Sequence, residues 1–122
     1  MGSSSGWIGV DLDGTLAHYA GWQGETHIGA PIEAMAARVK AWRAAGIDVR
    51  IFTARVADAA LNLDGTRHEV SAVVGAIQSW CLEHLGEALP VTNRKDFAMV
   101  ELWDDRCVQV IPNTGMRADG AP

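Results

Sequence analysis

At residues 7–15 the chain reads WIGVDLDGT, an apolar run that ends in an acid and passes directly into an Asp-Gly turn. A short apolar run bounded by a turn is typical of a buried central strand. We therefore expect the first strand to end at Asp11, with the side chains of Asp11 and Asp13 at its carboxyl end. Asp-Gly is also common in ordinary solvated turns, so this stretch alone leaves that interpretation open.

Downstream of this strand, helix and strand patterns alternate. Apolar residues at helical spacing predict a helix over 31–46, and DVRIFT at 48–53 predicts the strand that follows it. A second apolar stripe predicts another helix, which begins at a capping box formed by Thr66 and Glu69 and ends at Gly86. A strand, a helix and a second strand in this order are the repeating unit of a parallel sheet.

Shorter patterns complete the predicted fold. We expect a third strand over 89–92, a short helix over 93–99, a fourth strand over 100–105 and a fifth, edge strand over 108–112. Alternating strands and helices imply right-handed crossovers that cover both faces of the sheet. The predicted fold class is therefore α/β: a single three-layer, Rossmann-like domain with a mainly parallel sheet.

Length and composition agree with one globular domain. The chain has 122 residues, of which 48% are hydrophobic and 20% are charged, and we expect the domain to span 7–112 with flexible ends at 1–6 and 113–122. A net charge of −5 argues against a broad cationic surface for nucleic acid. No apolar run approaches the roughly 18 residues of a membrane span, so we expect a cytoplasmic protein without membrane contact. Cys81 and Cys107 lack zinc-site spacing and are expected to be buried free thiols.

Polar residues gather where the predicted strands end. Because ligands of such sheets bind beyond the carboxyl ends of the strands, these side chains are expected to face one crevice. They are Asp11, Asp13, Thr53, Lys95, Asp104 and Asp105. Carboxylates at one point repel one another unless a cation lies among them, and hard oxygen ligands favour Mg²⁺. A lysine and a hydroxyl beside that cation complete an anion site, for which phosphate is the expected anion.

The same residues resemble the four signatures of the haloacid dehalogenase superfamily. The first signature matches DLDGT at 11–15, and the second, a strand ending in a hydroxyl residue, matches Thr53. The third matches Lys95, and the fourth, a strand ending in an acidic pair, matches Asp104 and Asp105. All four signatures occur in the family's order. An ordered set of four matches is much less expected by chance than a match to DLDGT alone.

The resemblance implies a role for each matching residue. Asp11 would be the nucleophile that forms an aspartyl-phosphate, and Asp13 would be the general acid and then the base for water. Thr53 would hydrogen-bond the phosphoryl oxygens together with backbone N–H groups of the turn that contains Gly14. Lys95 would neutralise the nucleophile and the phosphate.

The resemblance also implies the ligands of Mg²⁺. They would be a carboxylate oxygen of Asp11, the backbone carbonyl of Asp13 and a carboxylate oxygen of Asp104. Asp105 would be either a water-mediated ligand or a residue that orients Lys95. Members that displace halide lack the second acid of the first signature, so Asp13 indicates phosphoester hydrolysis, although a phosphotransferase would keep it too.

Access to the site should differ from that in many relatives, which carry a substrate-selecting cap domain. Here residues 16–30 offer only a flap, and one loop, one helix and one strand occupy the chain between Thr53 and Lys95. We therefore expect a HAD-like domain without a cap. Capless relatives act on large substrates or borrow a neighbouring subunit as a lid, so a homodimer is one way to close this site.

Three arginines flank the motif positions, namely Arg55, Arg94 and Arg106. Either they form an electropositive rim suited to a nucleotide or a phosphorylated strand end, or each pairs with a neighbouring aspartate. Trp22 can stack on a substrate ring or pack its loop onto the body. The expected activity is Mg²⁺-dependent hydrolysis of a phosphomonoester through an aspartyl-phosphate, with a small molecule or a nucleotide or nucleic-acid end as the phosphorylated substrate. The alternatives are a nucleotidase, a polynucleotide end phosphatase and a non-catalytic phosphate-binding module.

Overall fold

A computed structural model describes residues 6–57 and 69–122 of the chain. Over these residues the protein is an α/β structure with four parallel strands and two helices, consistent with a Rossmann-like fold. In chain order the elements are β1 (Trp7–Val10), α1 (Glu33–Ala44), β2 (Asp48–Phe52), α2 (Val70–Leu85), β3 (Val91–Thr92) and β4 (Met99–Trp103). One turn of 3₁₀-helix, Ala54–Val56, follows β2.

The strand order in the sheet is β3-β2-β1-β4, so β1 has neighbours on both sides. Val10, the last residue of β1, pairs with Ile51 of β2 and with Trp103 of β4. The chain moves outward from β1 through β2 to β3 and then returns to the other side of β1. This reversal of direction creates a crevice at the carboxyl ends of β1 and β4, where ligands of parallel sheets bind.

The core lies between the sheet and both helices, which pack against each other. Alternate strand residues face this core, including Val10 and Ile51, which have no exposed surface. Right-handed crossovers that proceed in one direction place successive helices on the same face of a sheet. The second helical layer that the sequence predicts is therefore not found among the described residues.

The opposite face of the sheet is covered by side chains and a loop instead of a helix. Trp7 points to this face and is only 1% exposed, and the guanidinium of Arg50 lies 4.5 Å from its ring centroid. Its indole Nε1 donates to the Asp96 carboxylate at 2.9 Å.

The predicted short helix over 93–99 is wrong. The Asp96 carboxylate accepts from the backbone N–H of Ala98 at 2.9 Å, and the N–H of Met99 donates to the Asp96 carbonyl at 3.1 Å. Local bonds of an aspartate side chain to its own backbone compete with helix formation. A tight turn therefore leads directly into β4.

The predicted fifth strand over 108–112 is also wrong. Val110 instead forms an isolated antiparallel bridge with Arg117, and the N–H of Ile111 donates to the carbonyl of Met116 at 2.8 Å. Asn113 adopts a left-handed conformation with φ of 66° in the intervening turn. Backbone groups of Gln109 and Ile111 thus bond to residues that follow closely in the sequence and not to the sheet.

The helix ends follow the sequence prediction where they are described. α2 ends at Gly86, whose left-handed φ of 88° is the conformation expected for a glycine at this position. The predicted capping box at 66–69 lies largely outside the described residues; Glu69 is the residue before α2 and makes no side-chain capping bond. Cys81 is buried as expected, whereas Cys107 is exposed.

The loop over 16–30 is attached to the domain at its base. The N–H of His18 donates to the carbonyl of Ala30 at 2.8 Å, and the indole of Trp80 in α2 donates to the carbonyl of Gly29 at 2.9 Å. In residues 6–57 and 69–122, no helix combines the length and apolar character needed to cross a membrane.

Candidate functional site

Three carboxylates meet at the carboxyl ends of β1 and β4. Asp11 follows β1, and its N–H donates to the carbonyl of Trp103 at 2.8 Å, which continues the pairing of the two strands by one residue. Asp104 and Asp105 follow β4 directly. One carboxylate oxygen from each of the three aspartates lies within 4.8 Å of the others. We call Asp11, Asp104 and Asp105 the acidic cluster.

The acidic cluster disfavours the ionised form of Asp11. Partial burial, a hydrogen bond with Asp105 and the negative charges of Asp104 and Asp105 raise the pKa of Asp11 from 3.8 to about 7. A hydrogen bond with the backbone of Leu12 acts in the opposite direction but is the smaller effect. A bound cation would reverse this balance, because it attracts the carboxylate form.

Thr15 and Gly14 shape the cluster from the β1 side. The Thr15 hydroxyl lies 3.4 Å from Asp11 Oδ2 and 3.5 Å from Asp105 Oδ1, so it can donate to either carboxylate. Gly14 has a φ of 86°, and a Cβ at this position would lie 2.5 Å from Asp105 Oδ2. The N–H of Gly14 donates to the carbonyl of Ala17 at 2.9 Å. Glycine is thus required here for conformation and for the close approach of Asp105.

Asp13 turns away from the acidic cluster and pairs with an arginine. Arg55 donates from Nε to Asp13 Oδ2 at 2.8 Å and from Nη2 to Asp13 Oδ1 at 2.9 Å. Arg55 Nη1 donates to the Glu25 carbonyl at 2.9 Å and lies 3.5 Å from the Gly24 carbonyl. We call this arrangement of Arg55, Asp13 and the two carbonyls the arginine clamp.

Thr53 connects the end of β2 to the arginine clamp. It is 3% exposed, and its hydroxyl oxygen accepts the N–H of Arg55 at 3.2 Å. This bond caps the 3₁₀ turn Ala54–Val56. The hydroxyl therefore keeps its own proton for donation to a ligand in the cavity that it lines.

Aspartates of the acidic cluster and the Asp13–Arg55 pair of the arginine clamp face one cavity of about 500 Å³. This volume falls in the range of small-molecule sites, about 300–1,000 Å³. Charged residues, hydroxyl groups and aromatic rings all line it: Asp11, Asp13, Tyr19, Trp22, Phe52, Thr53, Ala54, Arg55, Ala57, Asn93, Asp104, Asp105 and Arg106. A ligand with an anionic group and a ring would meet suitable partners here.

The structure does not bring every predicted site residue to this cavity. Lys95 is exposed and is not among the lining residues. It follows β3 by three residues in a segment that forms a turn instead of the predicted helix. Of the three flanking arginines, Arg55 and Arg106 line the cavity, and Arg94 does not. Arg55 pairs with Asp13, which is one of the two alternatives that the sequence left open.

Some lining and supporting residues were not assigned a role from the sequence. Thr15 belongs to the DLDGT motif, so its position four residues after Asp11, the predicted strand end, was a usable signal. Phe52 and Asn93 sit next to strand ends, but alternation alone cannot show which of them faces a ligand. The contact of Arg55 with the carbonyl of Glu25 depends on the path of loop 16–30, for which the sequence carries no periodic signal.

The acidic cluster suits a small hard cation. Opposite oxygens of an octahedral Mg²⁺ lie about 4.2 Å apart, since each Mg–O distance is about 2.1 Å. The spread of up to 4.8 Å between carboxylate oxygens of Asp11, Asp104 and Asp105 is close to that value. All three donors are carboxylates, the ligand class that Mg²⁺, Ca²⁺ and Mn²⁺ share.

No protein-family model, no curated protein and no solved structure matches this chain. Membership in the superfamily that the motifs resemble is therefore a proposal that rests on the residues of this chain and their geometry.

Proposed function

We propose that the protein is a Mg²⁺-dependent phosphatase of the haloacid dehalogenase type that hydrolyses a phosphomonoester through an aspartyl-phosphate. One observation carries the proposal. The acidic cluster, with Asp13 and Thr53 beside it, borders a cavity of about 500 Å³ at the crevice where the strand order reverses.

Asp11 is the proposed nucleophile. Its carboxylate oxygen forms a bond to phosphorus while the bond from phosphorus to the ester oxygen breaks. Water then attacks the aspartyl-phosphate, releases inorganic phosphate and restores the Asp11 carboxylate. Thr53, whose hydroxyl proton is available, donates to a phosphoryl oxygen during both steps.

Asp13 is the proposed proton carrier. In the first step the protonated carboxyl of Asp13 gives its proton to the departing ester oxygen, and in the second the resulting carboxylate takes a proton from the attacking water, which restores the acid. Its position supports this role, because Asp13 lines the cavity, lies two residues from Asp11 and stays outside the acidic cluster.

Asp11 and Asp104 would hold Mg²⁺, with Asp105 either bound through water or orienting Lys95. A bound divalent cation supplies positive charge to the phosphate and keeps the nucleophile ionised. Arg106, which lines the cavity, would add further positive charge, whereas Lys95, to which the resemblance assigns that role, does not line it. Loop 16–30 would act as the flap of a domain without a cap, and a second subunit is a proposed lid.

The test is hydrolysis of p-nitrophenyl phosphate. We expect turnover with Mg²⁺, loss of turnover in EDTA and loss in Asp11→Asn, whereas Asp48→Asn, at an aspartate paired with Arg50 outside the site, should retain it. Turnover that EDTA leaves unchanged would contradict the proposal. Capture of beryllium fluoride at Asp11 in the presence of Mg²⁺ would separate an enzyme from a non-catalytic phosphate-binding module.

A nucleotide is the second candidate substrate, because aromatic side chains form part of the cavity wall. Tyr19, Trp22 and Phe52 line the cavity together with Arg106. Rings of this kind stack on bases without sequence preference, and arginine pairs with phosphate. Turnover of nucleoside monophosphates and of 3′- or 5′-phosphorylated oligonucleotides should exceed that of aliphatic phosphomonoesters. Equal turnover of all of them would remove this candidate.

A further inference from the structure

Arg55 makes contacts that reach well beyond its own turn. Its guanidinium is bidentate on Asp13, donates to the backbone of loop 16–30 at Glu25 and lies 5.5 Å from the Trp22 ring centroid. These partners come from the exit of β1 and from the loop, while the Arg55 backbone belongs to the turn after β2. One side chain thus joins three separate segments of the chain.

Burial makes these contacts stronger than those of a surface ion pair. Arg55 is 7% exposed, and the Asp13 side chain is 24% exposed. Charge-assisted bonds with a fork geometry gain strength and specificity where water is excluded. A buried guanidinium that lost one hydrogen-bond partner would be poorly solvated, because water could not replace that partner. Loss of any partner is therefore unfavourable, and Arg55 holds its partners together.

The contact at Glu25 fixes the far part of loop 16–30. The base of the loop is held by the bond from His18 N–H to the Ala30 carbonyl. Near the tip, the N–H of His27 donates to the Gly24 carbonyl at 3.2 Å, the same carbonyl that lies 3.5 Å from Arg55 Nη1. The tip is thus held by Arg55 and also by the Glu25 carboxylate, which accepts the N–H of Glu69 at 3.1 Å, whereas these bonds at the base do not involve Arg55.

We propose that Arg55 is a positioning residue that joins the tip of loop 16–30 to the Asp13 carboxylate. Arg55 thereby orients both the aromatic side chains that the loop contributes to the cavity wall and Asp13, the proposed proton carrier. The role of Asp13 as proton carrier rests on the function proposed above, whereas the connection between Arg55 and the loop does not. Movement of the loop tip away from the cavity would release Asp13 from its orientation.

The chain offers a matched control in Arg43. Its guanidinium contacts Glu87 from Nε at 3.2 Å and from Nη2 at 3.1 Å, and Nη1 donates to the Ile47 carbonyl at 2.9 Å. Like Arg55, Arg43 has a carboxylate and backbone carbonyl as partners, although both of its bonds to Glu87 reach Oε1. Arg43 does not line the cavity, so Arg43→Lys removes a comparable set of guanidinium contacts outside the site.

The first experiment measures amide hydrogen exchange by NMR and needs no activity. In Arg55→Lys the ammonium keeps the charge but cannot span Asp13 and the loop carbonyls. We expect exchange at His27 to accelerate at least about tenfold, while exchange at His18 stays within about twofold of the wild type. Arg43→Lys should change neither amide. Unchanged exchange at His27 in Arg55→Lys would overturn the connection between Arg55 and the loop.

The second experiment compares two phosphomonoesters with different leaving groups. p-Nitrophenolate leaves without a proton, whereas the alkoxide of benzyl phosphate requires one, so only benzyl phosphate depends strongly on the general acid. Hydrolysis of the aspartyl-phosphate is common to both esters, so the comparison uses kcat/KM, which reports the step in which the ester oxygen departs. In Arg55→Lys we expect kcat/KM for benzyl phosphate to fall at least about tenfold more than kcat/KM for p-nitrophenyl phosphate. A merely structural loss would lower both by the same factor, and that result would overturn the positioning role.

The two experiments separate failure of this inference from failure of the proposed function. A folded wild-type protein without activity on either ester would contradict the proposed function, while exchange at His27 would still test the link to the loop. Should Arg55→Lys fail to fold, Asp13→Asn provides the second variant: it removes one carboxylate oxygen from the fork. Faster exchange at His27 is expected in this variant, and its absence would overturn the inference.

Discussion

Asp11 and Asp13 are two residues apart and occupy opposite electrostatic surroundings. Asp11 lies in the acidic cluster, where partial burial, a hydrogen bond with Asp105 and the charges of Asp104 and Asp105 raise its pKa to about 7. Asp13 lies in the arginine clamp, where a buried guanidinium contacts both of its oxygens. Among residues 6–57 and 69–122, no cationic side chain forms an ion pair with the acidic cluster, whereas the arginine clamp contains one. A cation is thus expected at the first of these two neighbouring regions and not at the second.

The strand order explains this difference. β1 lies between β4 and β2, so residues at its carboxyl end meet the acids that follow β4 on one side and the turn that follows β2 on the other. Asp11 is directed to the first and Asp13 to the second. Two carboxylates from one short motif can therefore perform different chemistry, because different neighbouring strands supply their surroundings.

The largest expected effect is the loss of turnover in Asp11→Asn. An amide cannot act as the nucleophile, so kcat for p-nitrophenyl phosphate should fall by at least about 10³-fold. In EDTA at pH 8 the same variant should unfold at a higher temperature than the wild type, because one of three adjacent negative charges is gone. Asp48→Asn is the matched control. Retention of more than a tenth of wild-type turnover would place the nucleophile elsewhere.

Stabilisation by Mg²⁺ should be the next largest effect. A ligand at a hundredfold excess over its Kd stabilises the folded state by about 2.7 kcal/mol. For a domain of this size that corresponds to a rise in Tm of about 10 °C. Differential scanning fluorimetry should show this rise for the wild type and for Asp13→Asn but not for Asp104→Asn. An equal rise in all three proteins would show that Mg²⁺ binds outside the acidic cluster.

Mg²⁺ affinity should also depend on pH through Asp11. Its pKa in the cation-free protein is raised to about 7, and the cation binds the ionised form. Lowering the pH from 8 to 6 should therefore weaken Mg²⁺ binding about tenfold. Without Mg²⁺, folding stability depends on pH in the opposite direction to Mg²⁺ affinity. Because the pKa of Asp11 in the folded state exceeds 3.8, the stability that Asp11 contributes decreases as pH rises toward and through 7. Isothermal titration calorimetry at both pH values measures the affinity, and a constant Kd would contradict the assignment.

The smallest expected effect distinguishes two basic residues. Arg106 lines the cavity, and Lys95 is exposed and does not line it. Arg106→Ala should raise KM for p-nitrophenyl phosphate about fivefold, whereas Lys95→Ala should change it by less than about twofold. A large loss of kcat in Lys95→Ala would show that Lys95 reaches the nucleophile when substrate is bound, as the resemblance implies.

Local patterns predicted the elements that have clear hydrophobic periods. α1, α2 and the four strands lie where apolar spacing indicates them, and Gly86 ends α2 in the expected conformation. The predictions over 93–99 and 108–112 were wrong for a different reason in each case. At Asp96 a side chain competes with the helix for backbone donors, and after Val110 a local turn satisfies the segment without the sheet.

The candidate site likewise has features that local sequence patterns predicted and features that they did not. That Asp11 and Asp104 end strands could be read along the chain, because an apolar run followed by an acid is a local signal. The sequence left the partner of Arg55 open between a substrate and an aspartate, because arginine suits both equally well. Its contact with Asp13 is set by the adjacency of β1 and β2 and by the path of loop 16–30.

The identity and order of the chemical groups are thus properties of the linear chain: a strand ending in DLDGT, a strand ending in Thr53 and a strand ending in two acids. Their division into an acidic cluster and an arginine clamp is a property of the folded protein. Charges interact through space over a few ångströms, and the distances between residues 11, 55 and 105 arise only when the strands pair as β2-β1-β4.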